Sequence, residues 1–141
     1  MGLERFLSAQ EGIYAEAISE IKQGRKQSHW MWFIFPQLKG LGHSATAEYY
    51  GITDLDEARH YLEHPVLGKR LVEISKALLE LEGADANAIF GYPDDLKLQS
   101  SMTLFSRFNG ANPVFKNILE KYYNGQLDRK TLFLIDSKRK L

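Results

Sequence analysis

Three stretches of the chain place chemically capable side chains where they could serve one ligand. The first is His29-Trp30-Met31-Trp32-Phe33-Ile34-Phe35-Pro36-Gln37, running on through Leu38-Lys39-Gly40-Leu41-Gly42-His43-Ser44. Two indoles can wall a base or a sugar, and His29 beside them can serve as acid, base or phosphate donor. Gln37 and Ser44 add polar groups that could orient a ligand. Backbone amides of the Gly-rich loop from Gly40 to Ser44 could hold an anion. The second stretch is His64-Pro65-Val66-Leu67-Gly68-Lys69-Arg70, in which His64 caps a helix opened by Pro65 and Arg70 supplies a cation. The third is Asp94-x-x-Lys97-x-x-Ser100-Ser101-x-Thr103, an amine and hydroxyls at helical offsets of three and four.

Each stretch has a plain structural reading beside the chemical one. Trp30 and Trp32 can be core aromatics with His29 hydrogen-bonded at their edge. Gly68 inside a helix costs about 1 kcal/mol against alanine, so it permits either close helix packing or ligand approach. Lys97 can snorkel, Asp94 can cap, and the serines can pack where helices cross. Glu48, just after the Gly-rich loop, is the carboxylate best placed for acid–base work.

Other chemistries are set aside by the residues themselves. The chain has no cysteine, which removes disulfides, thiolate catalysis and cysteine-ligated zinc. Its histidines (His29, His43, His60 and His64) form no HExxH pattern, and the one pair spaced i,i+4 lacks further ligands, so no metal is expected. There is no phosphate-loop, dinucleotide or GxSxG fingerprint, and no cofactor is called for.

The elements that must carry these residues read as helices. Leu3, Phe6 and Leu7 share a face, and Ala9 to Lys22 continues it with Ile13, Tyr14, Ala17, Ile18 and Ile21 as a stripe. Gly12 weakens the early part, which leaves one helix or two short ones meeting near Gln10, and Gly24 is the expected stop. Ser28 is expected to cap a short helix over His29 to Phe35, which Pro36 limits. Asp54-Leu55-Asp56-Glu57 resembles a capping box. A long helix opened by Pro65 is expected to bury Val66, Leu67, Leu71, Ile74, Leu78 and Leu81, with Gly83 ending it. Asp94 is expected to cap a helix reaching Phe108. Asn112-Pro113 starts another. Asp128 caps the last, with Lys138, Arg139 and Lys140 at its end, where cations suit the helix dipole. The spacing predicts an all-α fold of seven or eight helices, with little or no β-structure, as a single domain over 1–141.

The chain's 141 residues suffice for one core covering about two-thirds of the unfolded surface. Eighteen basic and eighteen acidic side chains cancel, which argues against a dedicated nucleic-acid binder. No apolar run has the length of a membrane span, and the first residues do not form a signal peptide, so the protein is read as soluble and cytoplasmic.

The segments HWMWFIFPQ, GLGHS, YLEHPVLGKRL, IFGYPDDLKLQSSMTLF and YNGQLDRKT, in this order, resemble bacterial domain-of-unknown-function family 1810. The resemblance runs from about Leu3 to Leu134. It implies a small, mostly α-helical domain and no established activity. Some members carry the label calpastatin. That label does not suit a chain with a core, because calpastatin inhibitory regions are largely disordered.

Two functional expectations follow. In the first, His29, Trp30, Trp32, Gln37, Ser44, Arg70, Lys97 and Ser100 line a pocket for a small phosphate-bearing molecule, a nucleotide or an ADP-ribose derivative, which the protein binds or hydrolyses. In the second, the protein is a non-catalytic interaction module or homodimer that uses Tyr49, Tyr50, Tyr122 and Tyr123.

Overall fold

A computed structural model describes residues 2–139, over which ten α-helices follow one another. The fold is all-α. The sole β-type contact among the described residues is an isolated parallel bridge between Leu38 and Ile52. The helix number exceeds the expected seven or eight because the chain uses several very short helices. α1 (Glu4–Gln10) and α2 (Tyr14–Lys22) are separated at Gly12, whose φ of +75° is a conformation that glycine adopts without steric cost. α3 (Met31–Ile34), α4 (Ala45–Tyr50) and α7 (Ala86–Phe90) are one or two turns each.

The long helices form the frame. α5 (Leu55–Glu63) starts where the capping motif places it, with the Asp54 carboxylate accepting from the Glu57 amide at 2.9 Å. Glu57 reaches back one residue further than a capping box requires. It accepts from the Thr53 amide at 2.8 Å and from Arg5 at 3.1 Å. Burial pulls the Glu57 carboxyl upward, but these donors outweigh it and hold the group below its ordinary range.

α6 (Leu67–Glu80) starts two residues later than Pro65 suggests. The His64 ring still caps it, with Nδ1 accepting from the amides of Val66 and Leu67 at 3.1 and 3.2 Å. Gly68 answers to packing. A Cβ there would lie 1.9 Å from the Leu62 carbonyl oxygen, so α5 and α6 cross at a distance that only glycine allows.

α8 (Asp94–Phe105) is the central helix, packed against α5, α7, α9 (Pro113–Tyr123) and α10 (Arg129–Arg139). Every residue from Ser100 to Phe105 is buried, so α8 has no single apolar face. A helix surrounded on all sides has no solvent side on which to segregate polar residues. Two of its hydroxyls are met internally, Ser100 donating to the Leu96 carbonyl at 3.2 Å and Thr103 to the Gln99 carbonyl at 2.8 Å, while the buried Ser101 hydroxyl has no hydrogen-bond partner among the described residues. The helix ends at Phe105, three residues before the expected Phe108.

Asn112 caps α9 through the Val114 amide at 2.9 Å, and Asn124, at φ +55°, caps the other end just after Tyr123. Asp128 accepts from the Thr131 amide at 3.0 Å at the start of α10. Lys140, expected among the cations at the end of that helix, lies outside the described residues, as does the Arg139 side chain. No helix among the described residues is long and apolar enough to cross a membrane.

Candidate functional site

The aromatic segment divides between two surroundings. Trp30 is 0% exposed and packs edge-on against Phe90 and tilted against Phe35, so its indole has no face to offer a ligand. Its Nε1 donates to the buried Glu20 carboxylate at 2.9 Å. Glu20 also accepts from the amides of Gln27 and Ser28 at 2.7 and 3.0 Å and from the Ser28 hydroxyl at 2.6 Å. Ser28 therefore serves Glu20 and does not cap α3, whose N-cap position is Trp30. Burial alone would raise the Glu20 carboxyl. The donors from Ser28, Gln27 and Trp30 overcome it and lower the group from 4.5 to about 2.

Trp32, two residues on, is partly exposed. The Lys97 ammonium lies 3.9 Å from the centre of its ring system, within cation–π range. The same ammonium is 3.3 Å from Asp94 Oδ1, and the Lys26 ammonium is 2.9 Å from Asp94 Oδ2. Asp94 is thus not the helix cap expected of it. It lies inside the first turn of α8 and bridges two cations. Lys26 is fixed further by donating to the Ser28 carbonyl at 2.6 Å, and it lies 5.1 Å from the Trp30 ring centre. Gly42 stands close to the Trp32 ring, where a Cβ would lie 3.4 Å from Cη2 and 2.9 Å from the Ala47 Cβ. The Gly-rich loop consequently supports the indole on which Lys97 sits.

The other expected site residues disperse. Arg70 donates to Gln10 at 3.2 Å and lies over the Tyr14 ring at 5.1 Å. Gln10 in turn donates to the Tyr61 hydroxyl and the Phe33 carbonyl, a network that contains neither Lys97 nor Asp94. The Ser100 hydroxyl, whose one proton is shared between the Leu96 carbonyl and Asp128, lies 3.1 Å from Asp128 Oδ2 and so faces the start of α10. Ser44 caps α4 by accepting from the Ala47 amide at 3.1 Å. Gln37 is buried, its carbonyl accepting from the Ile52 amide at 2.9 Å. His29 and Glu48 are exposed. Of the four tyrosines considered for an interaction surface, only Tyr49 is exposed. Tyr122 and Tyr123 donate to the carbonyls of Leu78 and Asp95, and Tyr50 packs on Phe6 and Phe33.

Sequence reasoning brought Trp32 and Lys97 together but missed Lys26, Glu20 and the bridging role of Asp94. Lys26 follows a helix-ending glycine with no local pattern to mark it, and Asp94 sits where a cap belongs. Only the return of the chain at 26–32 past the start of α8 reveals their pairing. A cleft of about 650 Å³ also escaped it. That cleft lies elsewhere, between α5, the segment after α8 and α10, and none of the eight expected site residues lines it. Among the described residues no group of acidic or histidine side chains is arranged to hold a metal ion.

Comparison with known proteins places this architecture. Residues 1–135 match the family described as Protein of unknown function (DUF1810). The fold is similar to that in the crystal structure of the conserved hypothetical protein Rv1873 from Mycobacterium tuberculosis, with a TM-score of 0.93 and 50% sequence identity over 95% of this chain and 96% of that one. No match is found among curated proteins. The chain belongs to the DUF1810 family.

Proposed function

We propose that this family member is a cytoplasmic binding domain for a small phosphate-bearing ligand, a nucleotide or an ADP-ribose derivative, taken up at the face formed by Trp32 and Lys97. The observation that supports the reading is the shared carboxylate: Asp94 stands between Lys26 and Lys97, one negative charge against two positive ones. An ammonium carries three donors. Lys97 directs one toward Asp94, and stacking over Trp32 consumes none. The remaining donors suit phosphate oxygens, and the partly exposed indole beside them suits a base or sugar. Lys26, whose side chain is 9% exposed, adds charge from beneath the surface.

Hydrolysis is not part of the proposal. A general base must reach the proton it removes, and the carboxylate at this face is committed to two ammoniums. Isothermal titration with ADP-ribose, AMP and inorganic phosphate tests the binding. Saturable heats that fall at least about tenfold in affinity in Lys97→Met, the loss of one charge-assisted contact, support the reading. Absence of heats across the three compounds, or equal affinity in the variant, rejects it.

A second reading, a non-catalytic interaction module, draws on exposed aromatics the sequence did not single out: Tyr92 is 77% and Phe133 68% exposed. Light scattering across a concentration series tests it. A strictly monomeric mass would count against a homodimer.

A further inference from the structure

The cleft of about 650 Å³ falls within the roughly 300–1,000 Å³ typical of small-molecule sites. Its apolar lining is fixed. Leu38 and Ile135 are buried core residues, and Leu38 is held by the bridge to Ile52, with the Lys39 amide donating to the Ile52 carbonyl at 2.8 Å. Phe108 and Leu55 extend the apolar lining. Its polar lining comes from three separate places in the chain. α5 contributes Asp56 and Arg59, with Asp54 at its cap. The segment after α8 contributes Arg107, and α10 contributes Lys138.

The charges do not balance. Three cations face two carboxylates, a surplus of one positive charge. Arg59 is paired with Asp56 at 2.9 Å, and Asp54 caps α5. Arg107 and Lys138 have no carboxylate partner among the described residues. Arg107 is nonetheless oriented. Its Nη2 and Nε donate to the Ser106 hydroxyl at 3.2 and 3.4 Å, and that hydroxyl donates to the Thr103 carbonyl at 2.9 Å. A guanidinium held through its Nε–Nη2 edge by a neutral hydroxyl keeps its charge and its Nη1–Nη2 edge available for an oxyanion.

We infer that this cleft is a binding site for a small organic anion, with its phosphate or carboxylate held by Arg107 and Lys138 and its apolar body lying against Phe108, Leu55 and Ile135. The site is separate from the Trp32 face and does not depend on the function proposed there. Arg107 sets charge selectivity, and the apolar lining sets the requirement for a hydrophobic body, so inorganic phosphate alone binds more weakly than an aryl phosphate.

The test is amide chemical-shift mapping of the full chain with phenyl phosphate, benzoate, inorganic phosphate and the neutral benzyl alcohol as probes. Saturable shifts with phenyl phosphate or benzoate, clustered at residues 54–56 and 107–109, are expected. Affinity should fall at least about tenfold in Arg107→Gln, an exposed position whose thermal midpoint serves as the folding control. Whether phenyl phosphate or benzoate binds more tightly identifies the acid group. The inference is overturned if neither anion gives saturable shifts at these residues, if benzyl alcohol binds as well as the anions, or if folded Arg107→Gln binds like the wild type.

Discussion

Two carboxylates flank the aromatic segment, and they are treated in opposite ways. Glu20 is buried under four neutral donors drawn from Gln27, Ser28 and Trp30, so its charge is solvated by fixed dipoles and nothing is left over. Asp94 is met by two ammoniums, so its surroundings carry more charge than it neutralises. The Trp30 side has the character of a closed structural joint. The Trp32 side has that of an open face with unspent donors. One stretch of sequence thus serves the core with one indole and the surface with the next, and only the partners of each indole separate the two roles.

That contrast can be broken at several points. The largest effect is expected on the Glu20 side. Glu20→Ala strips the acceptor from the buried Trp30 indole and from two part-buried amides at once, and leaving these donors unmet should cost about 3 kcal/mol in urea unfolding. A loss smaller than about 1 kcal/mol, the net value of one ordinary hydrogen bond, would remove the distinction between the two sides.

Acid should expose the same joint. The folded-state carboxyl of Glu20 lies near 2 and its ordinary value is 4.5, so protonation favours the unfolded chain. The stabilisation is complete above pH 4.5 and is lost as pH falls toward 2. It amounts to something on the order of 2 kcal/mol. The stability difference between wild type and Glu20→Gln, followed by thermal melts across this window, should shrink as pH drops.

Gly42→Ala gives an intermediate effect. Its added methyl meets the Ala47 Cβ and approaches the Trp32 ring. Such overpacking should cost about 1 kcal/mol and shift the emission of Trp32. Lys97→Met is expected to change stability least, by about 0.5 kcal/mol, since a partly exposed ion pair is worth little and the methionine stem still packs on the indole, while removing the ammonium from the indole. If Lys97→Met destabilised the fold as much as Glu20→Ala, the Trp32 side would be another structural joint.

Much of the fold is legible in the sequence because its signals are local. Asp54, Asn112 and Asp128 cap where their spacing places them. The stripes bury Ala17 and Ile21 of α2, Leu67, Leu71, Ile74 and Leu78 of α6, and Phe115, Ile118 and Leu119 of α9, while Ile13, Tyr14, Ile18, Leu81 and Tyr122 stay partly exposed and Val66 exposed. α8 escapes this reading. Its residues from Ser100 onward are enclosed on every side, and a helix without a solvent face leaves no periodic trace. The site was half legible. Aromatic composition marked Trp30 and Trp32 alike, because side-chain type does not say which indole faces the core. The Ser44 hydroxyl satisfies a helix end and that of Ser100 meets the carboxylate that caps α10, and their polarity reads the same in a pocket or in such a structural role. Lys26 and Asp94 lie far apart in the chain, and their pairing is a tertiary contact that no local pattern encodes.

The most direct test of the account labels both indoles with 5-fluorotryptophan and follows the two fluorine resonances during a titration with ADP-ribose, with Trp32→Phe used to assign them. The account predicts that the Trp32 resonance shifts saturably, that the Trp30 resonance stays in place, and that Lys97→Met abolishes the shift. A Trp32 resonance that does not move, or one that moves equally with and without the Lys97 ammonium, would contradict it.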